Sequence, residues 1–125
     1  IKVNADVKKV KAEDYDLLVV PGGLESPDRL RQIPEVLQFI RDMDAAGKVI
    51  ASVCHGHWVL LSAGIVKGKK MTCYVGCKDD LINAGADYQN VNVISDGNIV
   101  TAPHFRDNAA WLKETLKVYY AINKK

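Results

Sequence analysis

Leu17-Leu18-Val19-Val20 is an apolar run without alternation that stops abruptly at Pro21-Gly22-Gly23. Such a run, closed by breaking residues, predicts a strand buried on both faces, as in a parallel sheet. Val49-Ile50-Ala51-Ser52-Val53 has the same character. Between the two, Val36, Leu37, Ile40 and Met43 recur at helical spacing after Pro34, and Gly47 supplies a stop. Strand, helix and strand in that order predict a right-handed parallel crossover. Ser26-Pro27 reads as the cap and first position of a shorter helix.

Further along, the pattern predicts a short helix from about His55 to Gly64, a strand over 69–74 and a helix over 78–84 stopped by Gly85. Strands over 91–95 and 98–101 flank Asp96-Gly97, a hairpin signal. A last helix begins near Asn108, with Leu112, Leu116, Tyr119 and Ile122 as its expected apolar face. The class is therefore α/β, a mostly parallel sheet with an added antiparallel hairpin.

Composition narrows the function. At 125 residues and 48% hydrophobic, the chain can bury one core. A net charge of +2 offers no field for nucleic acid or a membrane surface. No apolar run reaches the length of a membrane span, and nothing from Ile1 onward has the pattern of a signal peptide. Three cysteines are too few for a disulfide framework and fit a reducing cytoplasm.

The chemistry concentrates in "KVIASVCHGHWVLLSAG", Lys48 to Gly64. Cys54 stands where a buried strand turns sharply into a helix, the geometry of a nucleophile elbow. Strand and helix approach closely there, so small residues are needed on either side; Ser52 and Gly56 meet the need. A cysteine beside unpaired helix-start N–H groups tends towards thiolate. His55 is placed as its general base or cationic partner. In an open parallel sheet, ligands bind beyond the carboxyl ends of the strands. Gly22-Gly23 should emerge at the same edge as Cys54, so a glycine N–H and that of His55 could face one oxygen. Cys73 and Cys77 lie at zinc-ligand spacing, but a four-ligand site needs two more. Cys73 is assigned to the core, and neither metal nor cofactor is expected.

"DLLVVPGG", "ASVCHG", "SAGIVKGKKMTCY", "KDDLINAGA" and "DGNIVTA" stand in the order and at the spacing of the ThiJ/PfpI family. The chain resembles that family from about Asp14 onward. The resemblance implies a flavodoxin-like three-layer sandwich of the class I glutamine amidotransferase-like superfamily. It implies Cys54 as nucleophile, His55 as its partner and Gly22 or Gly23 as the N–H donor. Tyr74 matches a pocket tyrosine near the thiol, with a half-buried strand tyrosine as the plain alternative. Members are described as intracellular cysteine peptidases, cofactor-independent glyoxalases, deglycases, chaperones or redox sensors. Implied partners are a small carbonyl or peptide substrate and further copies of the chain, as a homodimer or larger ring.

The chain departs from the family pattern at two places. No carboxylate matches the family glutamate that contacts the cysteine, because the family's first strand, helix and second strand have no counterpart here. Residues 1–125 are therefore expected to form a domain incomplete at its N-terminus, lacking about fifty to sixty residues, with the 17–20 strand left unpaired on one side. Secondly, Ala102-Pro103-His104-Phe105 replaces the family's Ser-Arg-Gly-Pro. His104 is then either a polar pocket group or a loop histidine. His57, in place of a common proline, is expected to face solvent or a subunit contact. The leading expectation is a cysteine-dependent hydrolase acting on a peptide or 2-oxoaldehyde carbonyl. The alternative is a stress protein whose Cys54 is oxidised and turns nothing over.

Overall fold

The computed structural model describes residues 1–124. Strand β1 (Leu17–Val20) is followed by α1 (Glu25–Leu30), α2 (Pro34–Ala45) and β2 (Val49–Val53). Pro34 opens α2 at its first turn, where a missing N–H costs nothing. Helix α1 starts earlier than the Ser26-Pro27 reading. Its cap is Leu24, which makes no side-chain cap bond, and Pro27 sits inside its first turn, where its missing N–H has no intrahelical partner to lose.

A 3₁₀ turn over Cys54–Gly56 leads into α3 (His57–Ala63). Then come β3 (Lys70–Met71), α4 (Lys78–Asn83), β4 (Asp87–Tyr88), β5 (Ile94–Asp96), β6 (Ile99–Ala102) and α5 (Asn108–Ile122). The main sheet runs β1-β2-β6-β5. β1, β2 and β6 are parallel, with Ile50 opposite both Leu18 and Ile99, while β5 returns antiparallel to β6 through Asp96-Gly97. The expected strand over 69–74 shrinks to two residues that pair with β4 in a separate parallel sheet. Thr72 leaves that ladder because its N–H is taken by Thr101 Oγ1 and its hydroxyl donates to the Val91 carbonyl.

All five residues of β2 are buried, as its unalternating composition requires. One face packs Ile50 and Ile99 with Ile40, Met43, Val59, Leu60 and Leu81. The other packs Val49, Ala51, Val53, Val100 and Ala102 under Trp111. Helices therefore cover both faces, giving the three-layer, mostly parallel α/β sandwich. β1 pairs only with β2 among the described residues, and Val19 is 45% exposed. Lys48 ties the start of β2 to the entry into β1. Its ammonium donates to the carbonyls of Ala12 (3.2 Å), Glu13 (3.1 Å) and Tyr15.

The buried face of α5 differs from expectation. Leu112 and Leu116 are 48% and 49% exposed, while Trp111 and Thr115 are buried. Trp111 fills more volume, and its indole N–H donates to the Val100 carbonyl at 3.4 Å. Thr115 can be buried beside it because its hydroxyl donates to the Trp111 carbonyl at 2.7 Å.

Candidate active site

Parallel pairing sends the carboxyl ends of β1, β2 and β6 to one edge of the sheet. The segments leaving them are Pro21-Gly22-Gly23, Cys54-His55-Gly56 and Pro103-His104. Five of the six expected site residues thus meet at one edge because of the topology alone; the sixth, Tyr74, arrives from the β3–α4 connection.

Cys54 has φ +60° and is the one non-glycine residue with a left-handed backbone among those described. Side chains at such a φ are strained. The strain is held by close packing on either side of the turn. A Cβ at Gly56 would lie 2.7 Å from the carbonyl oxygens of both Val20 and Pro21, and 3.0 Å from Ser52 Oγ. A Cβ at Gly22 would lie 2.8 Å from Cys54 Cβ. Any side chain at either position pushes β1 away from the elbow. Gly23 has open space around it and takes φ +87°, so its role is the turn itself. Gly22 is therefore the glycine set against Cys54. The strain has a measurable sign: Cys54→Gly should be more stable than Cys54→Ala by about 1 kcal/mol in urea unfolding, although glycine is ordinarily the less stabilising residue. Equal midpoints would remove the strain argument.

Cys54 Sγ lies 3.3 Å from His55 Nδ1. Partial burial lowers the His55 pKa below the ordinary histidine value. The ring is therefore neutral at neutral pH and available to accept a proton. His55 is held between aromatic rings, with Trp58 edge-on at 5.0 Å and Tyr74 tilted at 4.8 Å. Trp58 is fixed in turn by its N–H to Asp80 at 3.1 Å. Tyr74 belongs to no strand; it precedes the 3₁₀ turn Val75–Cys77, half-buried against the histidine. His104 is half-buried 6.3 Å beyond Tyr74, and its Nδ1 accepts from the Arg106 N–H at 3.3 Å. His104 thus extends the wall that Tyr74 begins.

His57 is not at the surface. It is completely buried and bridges two strands across the elbow. Its Nε2 is 3.2 Å from the Ala102 carbonyl oxygen and its Nδ1 is 2.7 Å from Ser52 Oγ. A carbonyl only accepts, so Nε2 carries the proton and Nδ1 accepts from the Ser52 hydroxyl. Burial pushes its pKa down to about 4, the nearby His55 adding to the shift and the Ala102 bond opposing it. Position 57 thus fastens β2 to β6 directly beneath Cys54. Its apolar neighbours Trp58, Val59 and Leu60 and the small Ser52 at i−5 were the signals that it points inward.

Cys73 and Cys77 are both buried and free, Cys73 within the core as expected. Burial raises the thiol of Cys73 to about 12 and that of Cys77 to about 11. Among the described residues no three His, Cys, Asp or Glu side chains are grouped to hold a metal ion. No helix of the described residues is long and apolar enough to cross a membrane.

A mostly parallel sheet covered by helices on both faces agrees with the fold of the solved relatives. The sequence model of the DJ-1/PfpI family matches residues 1–118, and the chain belongs to that family. It is 42% identical over 118 residues to Deglycase PH1704 of Pyrococcus horikoshii and 40% identical over 118 residues to Deglycase PfpI of Pyrococcus furiosus. Each match covers 94% of this chain and 70% of the relative. The same fold occurs in a two-domain protein from Anabaena variabilis with DJ-1/ThiJ/PfpI-like and ferritin-like domains. That match has TM-score 0.86 and 33% identity, covering 89% of this chain and 32% of the other.

Proposed function

We propose that the chain carries the reacting thiol of a cysteine-dependent enzyme acting on an electrophilic carbonyl, with 2-oxoaldehydes and their adducts as the substrate class. The observation that carries this reading is the strained Cys54 elbow with His55 Nδ1 3.3 Å from the sulfur. The deglycase names of the two archaeal relatives support the substrate class.

In the proposed sequence the thiol proton passes to the neutral His55 ring, and Sγ adds to the aldehyde carbon. The C=O π pair becomes an alkoxide, which takes the proton back to give a hemithioacetal. The hydrogen on the former aldehyde carbon leaves as a proton and the ketone oxygen is protonated, giving an enediol. The hydroxyl beside sulfur then gives up its proton as a proton returns to the former ketone carbon. The product of this shift is a thioester of the 2-hydroxy acid. Water then cleaves the C–S bond, releasing the acid and restoring the thiol. Net, one water is consumed and no external oxidant is needed. The backbone N–H groups of Gly22 and His55 are the proposed donors to the developing oxyanion.

The test is conversion of methylglyoxal to lactate, measured beside release from a fluorogenic peptide. Cys54→Ala should abolish lactate formation, and His55→Ala should lower kcat by about 10²-fold. Undiminished turnover in Cys54→Ala would overturn the reading. Peptide release without lactate would move the substrate class to peptides. Oxidation of Cys54 by peroxide with neither turnover would move the protein to redox sensing.

A further inference from the structure

A cleft of about 590 Å³ opens directly beside the Cys54 site. Tyr74 belongs to both: one side of the ring packs on His55, and the residue also lines the cleft. His104 continues the wall, so a row of mutually tilted rings leads from the thiol's partner into the cleft. The reaction proposed above happens at Cys54 and leaves this space unused.

The cleft is rich in unspent hydrogen-bond donors. Lys78 and Arg106 line it, and neither forms an ion pair among the described residues, where the ion pairs are Lys11–Glu13, Arg29–Glu25 and Lys48–Asp16. The Lys78 ammonium is steadied over the Tyr88 ring, 5.3 Å from its centroid. The side-chain amides of Asn90 and Asn92 also line the cleft, and neither makes a hydrogen bond among the described residues. Against two cations and two amides stands one carboxylate, Asp107. A guanidinium, an ammonium and amide N–H groups together suit a carboxylate.

We propose that this cleft is a substrate subsite selecting molecules whose reacting carbonyl is joined to a carboxylate-bearing tail, such as an acidic peptide segment. The carbonyl sits at Cys54, the linking atoms cross Tyr74 and His104, and the carboxylate ends between Lys78 and Arg106. The proposal rests on Cys54 being the reacting thiol but needs no turnover.

Its test therefore uses covalent labelling. Bromoacetyl-glycyl-glutamate, -glutamine and -lysine, each as the C-terminal amide, alkylate Cys54 by the same displacement of bromide by sulfur, and carry an anionic, a neutral and a cationic side chain on a common backbone. The expected result is saturable labelling with the half-saturating concentration lowest for the glutamate tail, about tenfold below the lysine tail. The limiting rate should be common to all three. In a Lys78→Met/Arg106→Gln variant the three probes should converge, with unchanged thermal unfolding because both side chains are exposed. Labelling of Cys54 with no order among the tails, or an order that survives the double variant, would overturn the subsite and leave the reading of Cys54 standing. Failure of every probe to modify Cys54 would overturn both.

Discussion

Brief treatment of the folded protein with iodoacetamide at pH 7 modifies Cys54 and leaves Cys73 and Cys77 intact. Alkylation requires thiolate and access. With their thiols raised to about 11 and about 12, Cys77 and Cys73 are ionised at pH 7 to only about one part in 10⁴ and 10⁵. Both are also shut inside the core that β2, α3 and α4 share. Cys54 is partly exposed at the sheet edge with a histidine nitrogen at its sulfur. Exposure and ionisation together should separate it from the other two by at least about 100-fold in rate. Peptide mapping after a timed quench reads the order directly. Cys54→Ala should take up no label while folded, and in the wild type all three cysteines should react in urea. Modification of Cys73 or Cys77 ahead of Cys54 would remove the elbow as the reactive position.

How much of this was legible in the chain depended on how local the cause is. The elbow was legible because everything that makes it is contiguous: a five-residue strand with four apolar residues, a cysteine, a glycine and an apolar helix within one segment. The need for Gly56 was also legible, since strand-to-helix turns bring backbones together. What filled the space could not be read, because the atoms 2.7 Å away belong to Val20 and Pro21, more than thirty residues back. The β3–β4 pair escaped notice because two-residue strands carry no period, and Asp87-Tyr88 has no apolar run. On α5 the failure was one of ambiguity. Trp111 and Leu112 are adjacent, and apolar residues continue through Val118, Tyr119, Tyr120 and Ile122, so the sequence allows two faces. Volume and a hydrogen bond to β6 chose the one with Trp111.

His57 shows the same limit in its sharpest form, and it has the larger consequence for stability. Its apolar neighbours signal only that residue 57 points inward; its partner Ala102 is forty-five positions away, so the seal between two strands was not legible. Sealing makes it a pH-dependent element of the fold. The folded value of about 4 lies below the ordinary 6.5, so as pH falls the unfolded chain takes up the proton first. The stabilisation is complete above pH 6.5, is lost progressively between 6.5 and about 4, and changes no further below that. A shift of this size corresponds to about 3 kcal/mol over the window, a large share of the roughly 5–15 kcal/mol that holds a domain of this kind. His55 contributes in the same direction, and carboxylates titrate nearby, so the wild-type profile alone does not isolate the effect. The informative quantity is the difference from His57→Gln. Its amide N–H can still donate to Ala102 and its carbonyl can still accept from Ser52, but it cannot take a proton. Urea unfolding at pH 7, 5.5 and 4.5 should give a wild type that loses stability faster than the variant as pH falls. The two curves should draw together by about 3 kcal/mol between the ends of the window. Parallel curves would mean that His57 does not stay neutral in the fold. They would also undo its place as the buried tie between β2 and β6 under the candidate site.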